Sequence, residues 1–77
     1  MRIQVYAILK EYFDREFTLS EKVNNVGNLR TFLISKNPAA ANILGISRFA
    51  VDNEFVDNGF SLNEHDNISI MPPSSGG

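Results

Sequence analysis

The sequence predicts an α+β domain in which a five-stranded mixed sheet carries one main helix across one face. Three observations lead there. Apolar residues alternate with a period of two at both ends of the chain, a helical period occupies the middle, and 77 residues leave room for a single small domain. Five short strands and one helix cannot build a doubly wound sheet, so one sheet covered by one helix is the economical two-layer solution.

Residues 2–9 place Ile3, Val5, Ala7 and Leu9 on one face and Arg2, Gln4, Tyr6 and Ile8 on the other, which predicts a first strand. The polar stretch Lys10 to Arg15 interrupts it, and Phe17 and Leu19 resume the alternation in a second, antiparallel strand over 16–21. Asn24, Asn25, Gly27 and Asn28 supply turn and cap residues. Val26, Leu29, Phe32 and Leu33 then share a helix face over 26–36, while Arg30 and Lys36 point elsewhere. Pro38 ends that helix, because proline disfavours the helical conformation in the residue before it. The same proline opens a second short turn through Ala39–Ala41 that Gly45 closes. Strands over 48–52 and 54–57 form a hairpin around Asp52-Asn53, Leu62 tucks inward, and Ile68 and Ile70 belong to a last strand over 67–71. The expected core is Ile3, Val5, Phe17, Leu19, Leu29, Phe32, Leu33, Ile68 and Ile70. This ββαββ order is the β-grasp arrangement, with a domain over 1–71 and a tail over 72–77.

Composition narrows the chemistry. The chain is 43% hydrophobic and 21% charged, which suits a packed core rather than disorder. With no Cys and one His, a Cys/His zinc site, a Cys nucleophile and a redox dithiol are excluded. His65 lies in the turn-like run Asn63-Glu64-His65-Asp66-Asn67, a poor setting for a catalytic base. The five glycines are scattered, so no phosphate-cradling loop is present. A net charge of -2 argues against a nucleic-acid partner. No apolar run approaches the roughly 20 residues of a membrane span, and the expectation is a cytoplasmic protein with no membrane partner. Catalysis by the chain alone is not expected, nor is any cofactor or metal bound by it.

The informative segment is Met71-Pro72-Pro73-Ser74-Ser75-Gly76-Gly77. Pro72-Pro73 favours an extended polyproline conformation leading away from the last strand. Ser74, Ser75, Gly76 and Gly77 follow with small or absent side chains, so the expected object is a stiff base, a flexible arm reaching about 20 Å and a bare carboxylate. A frayed terminus has a similar composition, but a diproline just beyond the final strand of a β-grasp pattern favours a functional tail. Tyr6 and Ile8 on the outer face of the first strand, with Met71 out of phase with Ile68 and Ile70, suggest an apolar docking patch at the tail root; Lys10 would add a charged rim.

These residues together resemble the small subunit of molybdopterin synthase, the MoaD branch of the ubiquitin-like sulfur carriers. The resemblance rests on Lys10-Glu11, the Ala50–Val56 hairpin, Leu62 with Asp66, and the Pro72-Pro73-x-x-Gly76-Gly77 ending, and it spans essentially the whole chain. Two positions depart from the family pattern: His65 stands where glycine is common before the Asp, and Ser74 replaces the usual Val. The resemblance implies a ubiquitin-like β-grasp with the first and last strands adjacent. It implies that the Gly77 carboxylate is adenylated by a separate E1-like enzyme using ATP and becomes a thiocarboxylate. The sulfur then passes to the pterin precursor in the active site of the large synthase subunit, within a heterotetramer of two small and two large subunits. The tail residues Pro72, Pro73, Ser74, Ser75 and Gly76 would thread the channel to that site. A ubiquitin-like protein modifier and a thiamine-pathway sulfur carrier are the related alternatives, and a plain interaction domain is the third.

Overall fold

A computed structural model describes residues 1–73. The chain forms β1 (Arg2–Val5), a 3-10 helix (Ala7–Glu11), β2 (Glu16–Thr18), α1 (Val26–Lys36), a 3-10 turn (Pro38–Ala40) running into α2 (Ala41–Ile46), β3 (Arg48–Val51), β4 (Glu54–Val56) and β5 (Asn67–Met71). The five strands make one sheet in the order β2-β1-β5-β3-β4. β1 and β5 pair in parallel, with Ile3 opposite Ile68 and Val5 opposite Ile70, and the other pairs are antiparallel. This is the mixed sheet expected of a β-grasp.

Alternation decides which face is covered. Ile3, Val5, Phe49, Val51, Ile68 and Ile70 are buried from the sheet side; Leu29 and Leu33 of α1 and Leu44 of α2 meet them. Leu62 joins the same core. α1 starts at Asn25, whose Oδ1 accepts the Asn28 N–H at 2.8 Å and satisfies one of the free donors of the first turn. Asn37 ends it before Pro38, and its side-chain amide donates to the Tyr12 carbonyl at 2.9 Å. Between β3 and β4, Asp52 and Asn53 both take positive φ, 51° and 71°, the left-handed pair that a two-residue hairpin turn requires.

Several expectations need correction. The first strand stops at Val5 instead of reaching residue 9, because β5 offers partners only as far as Met71; Ala7 turns at φ 55° into the 3-10 helix. Leu9 is still fully buried, but Ala7, assigned to the same inward face, is exposed, because the alternation misjudged the backbone carrying both. The second strand ends at Thr18 rather than 21: Arg2 opposite Thr18 is the last pair of the ladder, and past it Leu19 and Met1 bond each other in both directions. The hairpin strands end at Val51 and Val56, one residue short of expectation. Phe17, Leu19 and Phe32 are only partly buried, since the first two lie on the sheet edge and Phe32 flanks the main seam beneath the Lys36 ammonium, 5.2 Å from its ring. The second helical segment runs past Gly45 to Ile46.

Arg30 does not point away from the fold. Its guanidinium lies 4.5 Å above the Phe49 ring and donates to the Leu44 carbonyl, to the Ser47 carbonyl at 2.9 Å and to Asn58 Oδ1 at 2.9 Å. One planar fork thus satisfies carbonyls at the end of α2 and ties α1 to the turn after β4. Burial pulls the Arg30 pKa below its ordinary value without threatening its charge.

The uneven burial sets the expected cost of truncation. Leu33→Ala, at a fully packed position, should cost about 2–5 kcal/mol in urea unfolding. Phe32→Ala should cost less despite its larger side chain, because part of that ring is never removed from water. Asn25→Ala should remove about 1 kcal/mol by uncapping α1.

Candidate functional site: the open sheet face and the tail root

Among the described residues no helix or loop covers the face of the sheet opposite the helices, and the register determines what stands on it. Gln4 of β1, Ser69 and Met71 of β5, Arg48 of β3 and Phe55 of β4 point outward, because their neighbours in each strand point into the core; Ala50, opposite Phe55 and Ser69, shares their side of the sheet but is only 3% exposed. Tyr6 continues this face beyond β1: its hydroxyl lies 3.4 Å from Gln4 Oε1, and its N–H donates to the Ile70 carbonyl at 3.2 Å. Met71 is therefore flanked by Tyr6 on the β1 side and by Arg48, its Cα partner, on the β3 side. From that point Pro72 and Pro73 lead away, Pro72 half-buried and Pro73 exposed.

The predicted patch is thus partly assembled and partly redrawn. Tyr6, 43% exposed, and the half-buried Met71 come together at the root of the tail. Ile8 does not share a strand face with Tyr6, since it sits in the 3-10 helix past the turn at Ala7; it is exposed there, as is Lys10 in the same helix. Ser74, Ser75, Gly76 and Gly77, expected to thread and react, lie outside the described residues.

Two members of the face were not anticipated. The Arg48 guanidinium stacks 3.7 Å above the ring of Phe55, which is 50% exposed. Cation–π stacking holds the long side chain flat and leaves a positive charge between two apolar residues, Phe55 and Met71. The signal was available in the hairpin. A two-residue turn at Asp52-Asn53 pairs Val51 with Glu54, Ala50 with Phe55 and Phe49 with Val56, so an inward Phe49 forces Phe55 outward. At the β1–β2 edge the same face is polar: Arg2 pairs with Glu16, which also accepts from Gln4.

His65 lies at the other end of β5, about 17 Å of strand from the tail root. Its side chain is 92% exposed. The turn closes through the Asp66 N–H on the Asn63 carbonyl at 3.1 Å and the Asn63 N–H on Asp66 Oδ2 at 2.8 Å. His65 is not among the described residues with positive φ, so this turn accommodates it without the freedom of a glycine. A groove of about 740 Å³ at that end, lined by Met1, Leu19, Lys22, Leu62, Glu64 and His65 among others, is open to solvent. Among the described residues no three His, Asp or Glu side chains are grouped to hold a metal, and no helix is long and apolar enough to cross a membrane.

Solved structures share this architecture. SAMP1 from Haloferax volcanii is similar over 99% of this chain and 97% of its own, with a TM-score of 0.79 at 20% identity. In a protein–protein complex of subunits 1 and 2 of the Molybdopterin-converting factor from Helicobacter pylori 26695, one chain is similar with a TM-score of 0.70 at 23% identity, covering 99% of this chain and 96% of that one. Urm1 from Trypanosoma brucei is similar with a TM-score of 0.71 at 15% identity, covering 99% and 93%. At such identities the likeness is one of fold. No curated protein matches the chain in sequence. A family match does, over residues 3–77, and the chain belongs to the ThiS family of ubiquitin-like β-grasp sulfur carriers.

Proposed function

We propose that this chain is the sulfur-carrying small subunit of a molybdopterin synthase, with the Gly77 carboxylate as the group that bears sulfur. One observation carries the reading: the strand that ends in Met71-Pro72-Pro73 leaves the sheet between Tyr6 and Arg48 of the open face. A partner that seats on that face therefore receives the tail in a defined direction. The Helicobacter pylori structure, a complex of two Molybdopterin-converting factor subunits, supports a large-subunit partner. The diproline supports the molybdopterin branch over the thiamine-pathway carriers.

The chemistry follows from what a terminal glycine can do. A carboxylate is a poor electrophile, so an E1-like partner first joins it to the α-phosphorus of ATP and releases pyrophosphate. A sulfur nucleophile then attacks the acyl carbon and AMP departs, leaving a thiocarboxylate. In the large subunit, within a two-plus-two heterotetramer, that sulfur attacks the pterin precursor, and water restores the carboxylate. Gly76 and Gly77 lack a Cβ, which lets a narrow channel close around the backbone. The chain contributes the reagent and the docking face; its partners contribute orientation and electrostatic stabilisation. No Cys is needed, and none is present. The likeness to small archaeal modifier protein 1 of H. volcanii favours a second reading, in which a lysine amine takes the activated acyl carbon and an isopeptide forms.

Deleting Gly77, or adding one residue after it, displaces the reacting carbon by about 3.5 Å. Because a misplacement of about 1 Å already costs on the order of a hundredfold, either change should abolish pterin sulfuration while the circular dichroism stays native. Intact mass after incubation with the adenylating enzyme, ATP and a sulfur donor should show oxygen replaced by sulfur in the C-terminal peptide. Normal sulfuration by the Gly77 deletion overturns the reading, and high-mass conjugates in place of the thiocarboxylate favour the modifier.

The docking face makes a separate expectation. Met71→Arg and Arg48→Glu should each weaken binding to the large subunit by about tenfold or more, equivalent to 1.4 kcal/mol or more, and Arg48→Glu should also change the salt dependence of association. Ile8→Arg should have the smaller effect, because Ile8 stands off the sheet face. Titration calorimetry against the isolated large subunit checks all three.

A further inference from the structure

Nine asparagines occur in the chain, and Asn58 is the one followed by glycine. That dipeptide is chemically labile, because a glycine nitrogen carries no neighbouring side chain to shield it from the asparagine amide. Here the turn does not require the glycine. Gly59 does not take a positive φ, and a Cβ added to it would meet only Asp57 Oδ1, at an ordinary 3.5 Å. The reacting groups, by contrast, are all engaged. Asn58 Oδ1 accepts from Arg30 Nη2 at 2.9 Å and from Nε at 3.3 Å. The Asn58 carbonyl accepts the Gly27 N–H at 2.9 Å, and the Gly59 N–H donates to Asp57 Oδ1 at 3.0 Å. The Phe60 N–H closes the turn on the Asp57 carbonyl at 3.1 Å.

We propose that Asn58-Gly59 is a deamidation site that the fold holds closed through Arg30 and Asp57. In the reaction the Gly59 nitrogen bonds to Asn58 Cγ and loses its proton, and the side-chain amide leaves as ammonia. Water then opens the resulting succinimide at either carbonyl, giving aspartate or isoaspartate, with no oxidation or reduction. Ring closure needs Asn58 to rotate about its Cα bonds. That rotation takes Oδ1 from Arg30 and the main-chain carbonyl from Gly27, and the attacking nitrogen must leave Asp57.

The two products differ in their effect. Aspartate keeps a carboxylate against Arg30 and preserves the clamp. Isoaspartate inserts a methylene into the main chain between the Gly27 and Arg30 contacts, and the clamp opens. Arg30 also holds the Ser47 carbonyl, one residue before Arg48 on the open face, so the isoaspartate form loosens the α2–β3 corner that presents that cation.

The test follows Asn58 by peptide mass mapping and isoaspartate detection in the full chain, kept in mildly alkaline buffer at physiological temperature. Folded wild type should deamidate at Asn58 about tenfold or more slowly than the same chain unfolded in urea, the order expected for release of charge-assisted hydrogen bonds. Arg30→Lys, which cannot reproduce the fork, or Asp57→Ala, which frees the nucleophile, should recover much of the unfolded rate in a chain still folded by circular dichroism. Asp57 is exposed, so its variant serves even if Arg30→Lys fails to fold. Gly59→Ala should stay slow even in urea. The proposal is overturned if folded and unfolded wild type react alike, if neither variant accelerates the reaction, or if the unfolded chain does not deamidate at Asn58.

Discussion

The parallel pairing of β1 with β5 is the constraint on which the rest of the structure depends. It joins the first strand to the last, and every other element is part of the crossover between them. Ile3 and Val5 meet Ile68 and Ile70 at the centre of the sheet, all but sealed from solvent. Parallel strands cannot be joined by a tight turn, so the intervening chain must cover the sheet, and α1 and α2 do so on one face only. The uncovered face and the root of the tail are therefore products of the same pairing. Moving β5 to an edge would remove Tyr6 and Arg48 from the two sides of Met71 at once.

A second dependence is polar. Leu29, Leu33 and Leu44 join α1 and α2 through the core, and Arg30 adds a polar tie that also reaches the turn after β4. A guanidinium suits this position because its donors lie in one plane and diverge, so a single side chain reaches acceptors on separate elements. Stacking on Phe49 covers the apolar face of the same group and links the clamp to the core. Desolvating a cation is costly, and three oxygen acceptors are what offset that cost.

The open face mixes apolar and cationic groups in a way that suits reversible association. Tyr6, Met71 and Phe55 supply area without forming a continuous oily surface, and Arg48 divides them with a charge. Aromatic and arginine side chains are those most often found at energetically dominant positions of interfaces. The paired charges of Arg2 and Glu16 mark the far edge, so the apolar part is confined to the end where the tail leaves.

The sequence by itself determined the order of the five strands around α1, the α1 boundaries, the Asp52-Asn53 turn and the inward residues of β1 and β5, because these depend on local backbone preferences and on periods of two and 3.6. It also marked Met71 as outward and Pro72-Pro73 as the end of pairing. Only the tertiary structure decided where β1 stops, since that depends on how far β5 runs beside it and not on any residue between Tyr6 and Leu9. Ala7 and Leu9 continue the period of two although the backbone has already turned into a 3-10 helix, in which they no longer share a face, and this placed Ile8 on the wrong surface. Periodicity likewise turned Arg30 away from the fold and gave Arg48 no place. A long charged side chain has no period of its own, and its role is set by the carbonyls or rings that distant segments bring within its reach.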